Sequence, residues 1–150
     1  MIVFQKNVQL QPFNTFGLEA KATNFVAFQT VDELKESLIQ RADHPLLVLG
    51  GGSNVLLTQD FDGLVLKNEL KGIKIVREDA NHVWVEVQAG ENWHEFVMTA
   101  IANDWAGIEN MSLIPGTMGA APMQNIGAYG VEIKQVFDRL TALELSLIHI

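Results

Sequence analysis

Ile114–Gly130 reads IPGTMGAAPMQNIGAYG, with four glycines and no charged residue. Bulk and charge are both missing, so side-chain packing cannot hold the segment together. Its worth lies in letting main chain approach something large and flat. Gly116, Gly119, Gly127 and Gly130 remove Cβ atoms along it, and Ala120 and Ala121 keep it thin. Backbone N–H groups are then open to phosphate or ring acceptors, and Gln124 and Asn125 add amide donors and acceptors. Pro115 and Pro122 fix φ at two points, so the segment is glycine-rich without being floppy. Composition alone leaves two readings open, a surface loop of several turns and a cofactor cradle, because irregular loops this long are either functional or disordered.

A second glycine cluster favours the cradle. Leu46–Leu49 is a short apolar run of the kind that forms a buried strand, and it leads into Gly50-Gly51-Gly52-Ser53-Asn54 before Val55 resumes the apolar pattern. Successive N–H groups after a strand make an anion-binding concavity, to which Ser53 and Asn54 add side-chain hydrogen bonds. Val55 stands where G-x-G-x-x-G requires its third glycine, and no Gly-Lys-Ser/Thr follows. Neither the dinucleotide Rossmann signature nor a triphosphate loop is therefore supported.

Around these loops the pattern alternates strands and helices. A strand near Asn24–Phe28 precedes Thr30, whose hydroxyl caps a helix while Glu33 reaches back; Val31, Leu34 and Leu38 share one face of it. Leu46–Leu49 completes a βαβ unit, Asp60–Asp62 reads as a turn, and Gly63–Lys67 is a further strand. Ile73–Arg77 and His82–Gln88 form strands about the turn-like Glu78–Asn81, with Val83, Val85 and Val87 on one face. Asn92 caps a second helix in which Trp93, Phe96, Val97, Ala100 and Ile101 keep helical spacing. Asn103–Gly107 ends it, and the long loop follows. Leu140–Leu145 fits a last strand.

Composition narrows the function. With 48% hydrophobic and 19% charged residues the 150-residue chain is globular rather than disordered. A formal net charge of −8 argues against nucleic acid as a partner, since phosphate-backbone binding needs a basic face. No apolar run reaches membrane-spanning length and the first residues lack a secretory pattern, so a cytoplasmic protein with no membrane partner is expected. The absence of cysteine removes disulfides and thiolate metal sites. His44, His82, His94 and His149 lack paired metal-ligand spacing, so no metal site is expected. Tyr129 either stacks on a ring or closes the loop. Glu132, Lys134, Asp138 and Arg139 read as a solvated stretch. No nucleophile, base and orienting carboxylate stand in a recognisable constellation, and no catalytic residue is assigned.

PFNTFG at Pro12–Gly17, LGGGSNVL at Leu49–Leu56, AGENWHEFV at Ala89–Val97 and IPGTMGAAPMQNIGAYG occur in this order. Together they resemble the amino-terminal part of the UDP-N-acetylenolpyruvoylglucosamine reductase family, from about Asn7 to Glu144. The resemblance implies an α+β, two-subdomain FAD-binding fold of the PCMH (vanillyl-alcohol oxidase-like) type. Residues 1–70 would form a small βαβ subdomain and 71–144 a second, incomplete one with a mixed or antiparallel sheet and helices. The substrate-binding domain would be absent. FAD is the implied cofactor and NADPH the co-substrate. Reduced flavin would pass hydride to a UDP-sugar enolpyruvyl ether in peptidoglycan precursor synthesis. Implied FAD contacts are Gly50, Gly51, Gly52, Ser53, Asn54, Pro115, Gly116, Gly119, Ala120, Gln124, Asn125, Ile126, Gly127, Tyr129 and Gly130.

The family's catalytic arginine, serine and glutamate follow the matched region, so this chain is expected to supply FAD binding without turnover. No obligate protein partner is implied. Gly51 and Ala120 depart from residues common in relatives, the latter lacking a hydroxyl found in some. Two other readings stay open, a stand-alone FAD or nucleotide-binding module and another flavin oxidase with the same cradle. The ending Leu145–Ile150, LSLIHI, matches the translation of a transposon end, and residues 145–150 are expected to be a non-native tail; the alternative is a genuine apolar strand.

Overall fold

The computed structural model describes residues 2–145. Its main sheet has four strands: β1 (Gln5–Gln9), β2 (Lys21–Phe28), β3 (Leu46–Leu49) and β4 (Phe61–Asn68), in the order β1-β2-β4-β3. β2 and β3 both run parallel to β4, which fills the place between them, and β1 lies antiparallel on the β2 edge. The βαβ unit is thus present, with its two strands separated by a third. The turn expected at Asp60–Asp62 is replaced by the start of β4. Both acids bind β2: Asp60 Oδ1 accepts from the Lys21 N–H at 2.8 Å, and Asp62 Oδ1 from the Thr23 hydroxyl at 2.9 Å. Side chains that would solvate a turn instead stitch a strand start.

Helix α1 (Val31–Gln40) covers one face of this sheet. Thr30 Oγ1 accepts from the Glu33 N–H at 3.1 Å, and the Glu33 carboxylate accepts from the Thr30 and Gln29 N–H groups, which closes the capping box. Leu38 and the partly buried Leu34 pack on Val26, Phe28, Leu64 and Leu66. Val31, expected on that face, lies 45% exposed in the first turn and is not part of the cluster formed by Leu34 and Leu38. The opposite face buries Leu10, Ala22, Phe25, Leu49 and Val65, with Phe13 stacked on Phe25 at 4.9 Å between ring centroids.

Strands β5 (Ile73–Glu78) and β6 (Val83–Val87) form an antiparallel hairpin, and Val85 and Val87 face helix α2 (Trp93–Ala102). Asn92 Oδ1 accepts from the Glu95 N–H at 3.0 Å, so the helix begins where its cap predicts. Trp93, Phe96, Val97 and Ala100 are buried with Ile108 and Met111. Ile101 is 44% exposed, one helical step of about 100° beyond Ala100 and off the stripe that meets the core.

The long loop is subdivided. A 3-10 turn at Pro122–Gln124 leads to the short hairpin β7 (Gly127–Ala128) and β8 (Val131–Glu132). The strand expected at Leu140–Leu145 does not form among the described residues, where no neighbouring strand offers it a ladder. Most of the expected non-native tail, residues 146–150, lies outside the described residues.

Candidate functional site

Parallel strands β2, β4 and β3 end together: Leu49 is level with Lys67, and Phe28 with Asn68. Crevices beyond the carboxyl ends of such strands are where open α/β sheets take ligands. Here the Gly50–Asn54 turn emerges and meets the first half of the long loop. A Cβ on Gly51 would lie 3.4 Å from Gly116 Cα, and one on Gly50 would lie 2.9 Å from Thr117 Oγ1. The two glycine clusters therefore converge, main chain against main chain.

Hydrogen bonding leaves this junction rich in free donors. Among the described residues, the N–H groups of Gly51, Gly52, Ser53, Asn54, Gly116 and Thr117 meet no hydrogen-bond acceptor. Carbonyls of the same stretches are in contrast engaged. Gly116 O accepts from the Trp93 N–H at 3.1 Å, and Gly52 O from the Thr15 N–H at 3.1 Å. The Gly52 and Gly116 carbonyls thus turn into the protein, which sends the Ser53 and Thr117 N–H groups the opposite way, the polarity an anion requires.

Both walls are braced by stretches that carried the resemblance. Asn14 is buried; its Nδ2 donates to the Leu10 and Leu18 carbonyls at 2.9 and 3.0 Å, and its Oδ1 accepts from the Leu18 N–H. That knot holds Phe13–Thr15 beneath Gly52. Gly52 itself is buried with φ +67°, and a Cβ there would overlap the Phe13 carbonyl and lie 2.9 Å from Asn14 Cα. Its lack of a side chain serves packing, whereas Gly51 is exposed to the cleft. On the other wall, Asn92 bridges Thr117, and the Met118 and Gly119 N–H groups donate to Glu91 O and Ala89 O, each at 2.9 Å.

The remaining candidates separate. Gly116 faces Gly51 and Ser53 across the cleft, with Pro115 just before it, whereas Gly119 packs on Ala89 instead, and Ala120 closes the turn by donating its N–H to Thr117 O at 3.0 Å. Ile126 donates to Ala121 O and accepts from the Ile133 N–H, which ties down the second half. Gln124 and Asn125 are exposed; Asn125 adopts φ +42°, and its Oδ1 accepts from the Lys134 N–H at 3.3 Å. Gly127, Tyr129 and Gly130 line an open concavity of about 350 Å³ on the β7–β8 hairpin. Tyr129 is 91% exposed at the hairpin turn, so it does not close the loop.

Two features escaped the sequence. Ser112 Oγ and His94 Nδ1 are 3.0 Å apart, a hydroxyl–imidazole pair. The same Nδ1 accepts from the Leu113 N–H at 3.3 Å, and among the described residues no carboxylate meets the ring, so the pair braces the loop entrance at Leu113, where φ is +63°. The second is Lys67, whose ammonium donates to Gly50 O at 2.8 Å. Burial lowers its pKa; Glu69 opposes the shift and Lys71 adds to it. The signal was a lone lysine ending the apolar run GLVLK. No cluster of potential metal ligands occurs among the described residues.

A mostly parallel sheet whose glycine turn faces a second glycine loop is the architecture of a nucleotide-cofactor domain. The FAD binding domain family matches residues 22–147, and the chain belongs to that family. It is 52% identical over 142 residues to the UDP-N-acetylenolpyruvoylglucosamine reductase of Flavobacterium johnsoniae, covering 95% of this chain and 42% of that protein. The enzyme of the same name from Pseudomonas syringae pv. tomato is 56% identical over 142 residues, covering 93% of this chain and 42% of its own length. The chain thus spans about two fifths of the length of the curated relatives it matches. The crystal structure of UDP-N-acetylenolpyruvylglucosamine reductase from Thermus caldophilus superposes with a TM-score of 0.65 at 24% identity, over 87% of this chain and 46% of that one. That likeness supports the α+β fold. No helix among the described residues is long and apolar enough to cross a membrane.

Proposed function

We propose that the cleft between Gly50–Asn54 and Pro115–Gly119 is where this FAD binding domain receives its cofactor. In the whole protein, bound FAD would take electrons from NADPH and reduce UDP-N-acetylenolpyruvoylglucosamine to UDP-N-acetylmuramate in the cytoplasm. The observation that carries the placement is the convergence of the two glycine clusters with six backbone N–H groups left without protein acceptors. Those donors suit a pyrophosphate, and the missing Cβ atoms at Gly50 and Gly51 leave room for it. FAD supplies hydride chemistry that protein side chains lack. This chain's part is to bind and orient: Asn14 and Thr15 hold one wall, Asn92 and Glu91 the other, and Lys67 the floor. Residues 1–70 and 71–144 act as two subdomains, each with its own apolar clusters. Gln124, Asn125, Ile126, Gly127, Tyr129 and Gly130 extend the cofactor surface along the β7–β8 hairpin.

The reading is tested by titrating FAD with the purified chain and following flavin fluorescence. The expected result is saturable quenching, with all flavin released by acid, since no cysteine is present and His94 lies on a helix flank outside both glycine loops. Flavin emission that stays unchanged at protein concentrations saturating for a full-length relative would refute cofactor binding by these residues.

A further inference from the structure

Lys67 is the penultimate residue of β4, on the face away from α1. Leu64 and Leu66 pack with Leu38 of that helix, while Val65 packs with Phe25 and Leu49 opposite, and strand residues alternate, so Lys67 shares the side of Val65. From there its ammonium reaches Gly50 O at 2.8 Å. Among the described residues no carboxylate lies within ion-pairing distance of it, whereas Lys35, Lys71, Lys134, Arg77 and Arg139 each meet an aspartate or glutamate. Lys6, Lys21, Arg41 and Lys74 likewise meet no carboxylate among the described residues; what sets Lys67 apart is that its ammonium, partly buried, donates to a carbonyl of the glycine turn.

What that carbonyl belongs to matters. The Gly50–Gly51 peptide has no Cβ on either side, so its plane rotates with little steric resistance. A trans peptide points its C=O and N–H in opposite directions. Anchoring the Gly50 oxygen on Lys67 sends the Gly51 N–H away from the lysine. A cation on the oxygen also polarises the peptide and makes its N–H a stronger donor. Among the described residues that N–H and its neighbours on Gly52, Ser53 and Asn54 are all left without protein acceptors.

We propose that Lys67 is the positioning residue of this cleft, pinning the Gly50 carbonyl so that the Gly51 N–H is fixed and strengthened for an anionic phosphate group. On the cofactor reading given above, from which the identity of the ligand is taken, that group is the pyrophosphate of FAD. Lys67 acts through the peptide and is not a catalytic residue.

Two measurements test it on the 150-residue chain. In ligand-free amide NMR spectra, Lys67→Met is expected to shift the Gly51 and Gly52 resonances, with Lys67→Arg lying close to the parent. Unmoved glycine amides in Lys67→Met overturn the proposal whatever the ligand proves to be. In titrations with FAD, ADP and riboflavin, Lys67→Met is expected to weaken FAD and ADP by about tenfold, the scale of a charge-assisted hydrogen bond, while riboflavin affinity holds. Lys67→Arg recovers most of the loss. Equal weakening of riboflavin, or parent-like FAD and ADP affinity, overturns the proposal. If the parent chain binds none of the three, the cofactor reading fails while the amide spectra still decide whether Lys67 sets the peptide.

Discussion

Alanine at Gly51 and at Gly52 adds the same methyl group to adjacent residues, yet the two substitutions should fail in different ways. Gly52 is buried at φ +67°, a conformation that costs an L-residue about 1–2 kcal/mol. Its Cβ would overlap the Phe13 carbonyl, so Phe13–Thr15 must shift and the Thr15 N–H to Gly52 O bond is lost, about 1 kcal/mol more. Gly52→Ala should therefore lose roughly 2–4 kcal/mol of stability, or about 5–15 °C in Tm for a chain of this size. At Gly51 φ lies outside the left-handed region, and the added Cβ meets Gly116 Cα at 3.4 Å, a contact that a small displacement relieves. Its folding cost should stay within about 1 kcal/mol. That methyl does, however, enter the gap between the two walls, and because relatives carry other residues at this position FAD affinity should fall only about threefold, equivalent to about 0.7 kcal/mol. Thermal unfolding of the ligand-free chains and flavin fluorescence titration separate the two effects. Parent-like FAD affinity in Gly51→Ala, or an unchanged Tm in Gly52→Ala, would refute the division of labour between these glycines.

Trp93→Phe removes the indole N–H that donates to Met111 O at 2.7 Å inside the second core, leaving a buried carbonyl unpaired; a loss of about 1–3 kcal/mol is expected in urea unfolding, and a change of under a few tenths would contradict it. Asp79 Oδ1 accepts from the Asn81 and His82 N–H groups at 2.9 Å, and these bonds, that of Asn81 foremost, hold its pKa below the ordinary aspartate range. A depressed carboxyl pKa stabilises the folded state above the unfolded value, and the benefit is lost as pH falls through the folded one. Amide exchange in the β5–β6 turn should accordingly stay slow, relative to Asp79→Asn, at about pH 5 and lose that advantage at about pH 2; an advantage that persists in acid would refute this.

Local chemistry was legible in the sequence and pairing was not. The Thr30/Glu33 capping box and the Asn92 cap act within one helical turn, so residue identity alone places both helix starts. Leu46–Leu49 forms a strand as its apolar run implies, but at the sheet edge, where only Leu49 is buried and Val48 is exposed, rather than as the buried strand expected. β1 escaped because its mostly exposed residues, QKNVQ, carry no apolar alternation. The insertion of β4 between β2 and β3 is set by which hydrophobic faces meet, which no single stretch encodes. Val31 and Ile101 have helical spacing but lie at the margins of their buried stripes, where spacing cannot distinguish core from surface. At the site, the glycines announced two thin loops; their convergence depended on Asn14 and Asn92, distant residues of which the sequence showed only a place in PFNTFG and a helix cap. Lys67 and the Ser112–His94 brace are tertiary pairs, invisible until the strand ends and loop entrance are placed.

An acidic chain that binds an anion has to localise its attraction. With a formal charge of −8, a cleft lined by lysines would require cations spared from the ion pairs that hold Lys71, Arg77 and Lys134. Backbone dipoles avoid this, because a peptide N–H presents partial positive charge regardless of the net charge around it. Their weakness is orientation: in a glycine turn the peptide that donates can rotate away. Phe13–Thr15 and Trp93 remove that freedom by engaging the Gly52 and Gly116 carbonyls, and Lys67 does the same for Gly50 with a charge attached. Three carbonyls held from three directions leave the N–H groups of Gly51, Ser53 and Thr117 facing the cleft. Glycine can then keep the cleft thin without surrendering its geometry.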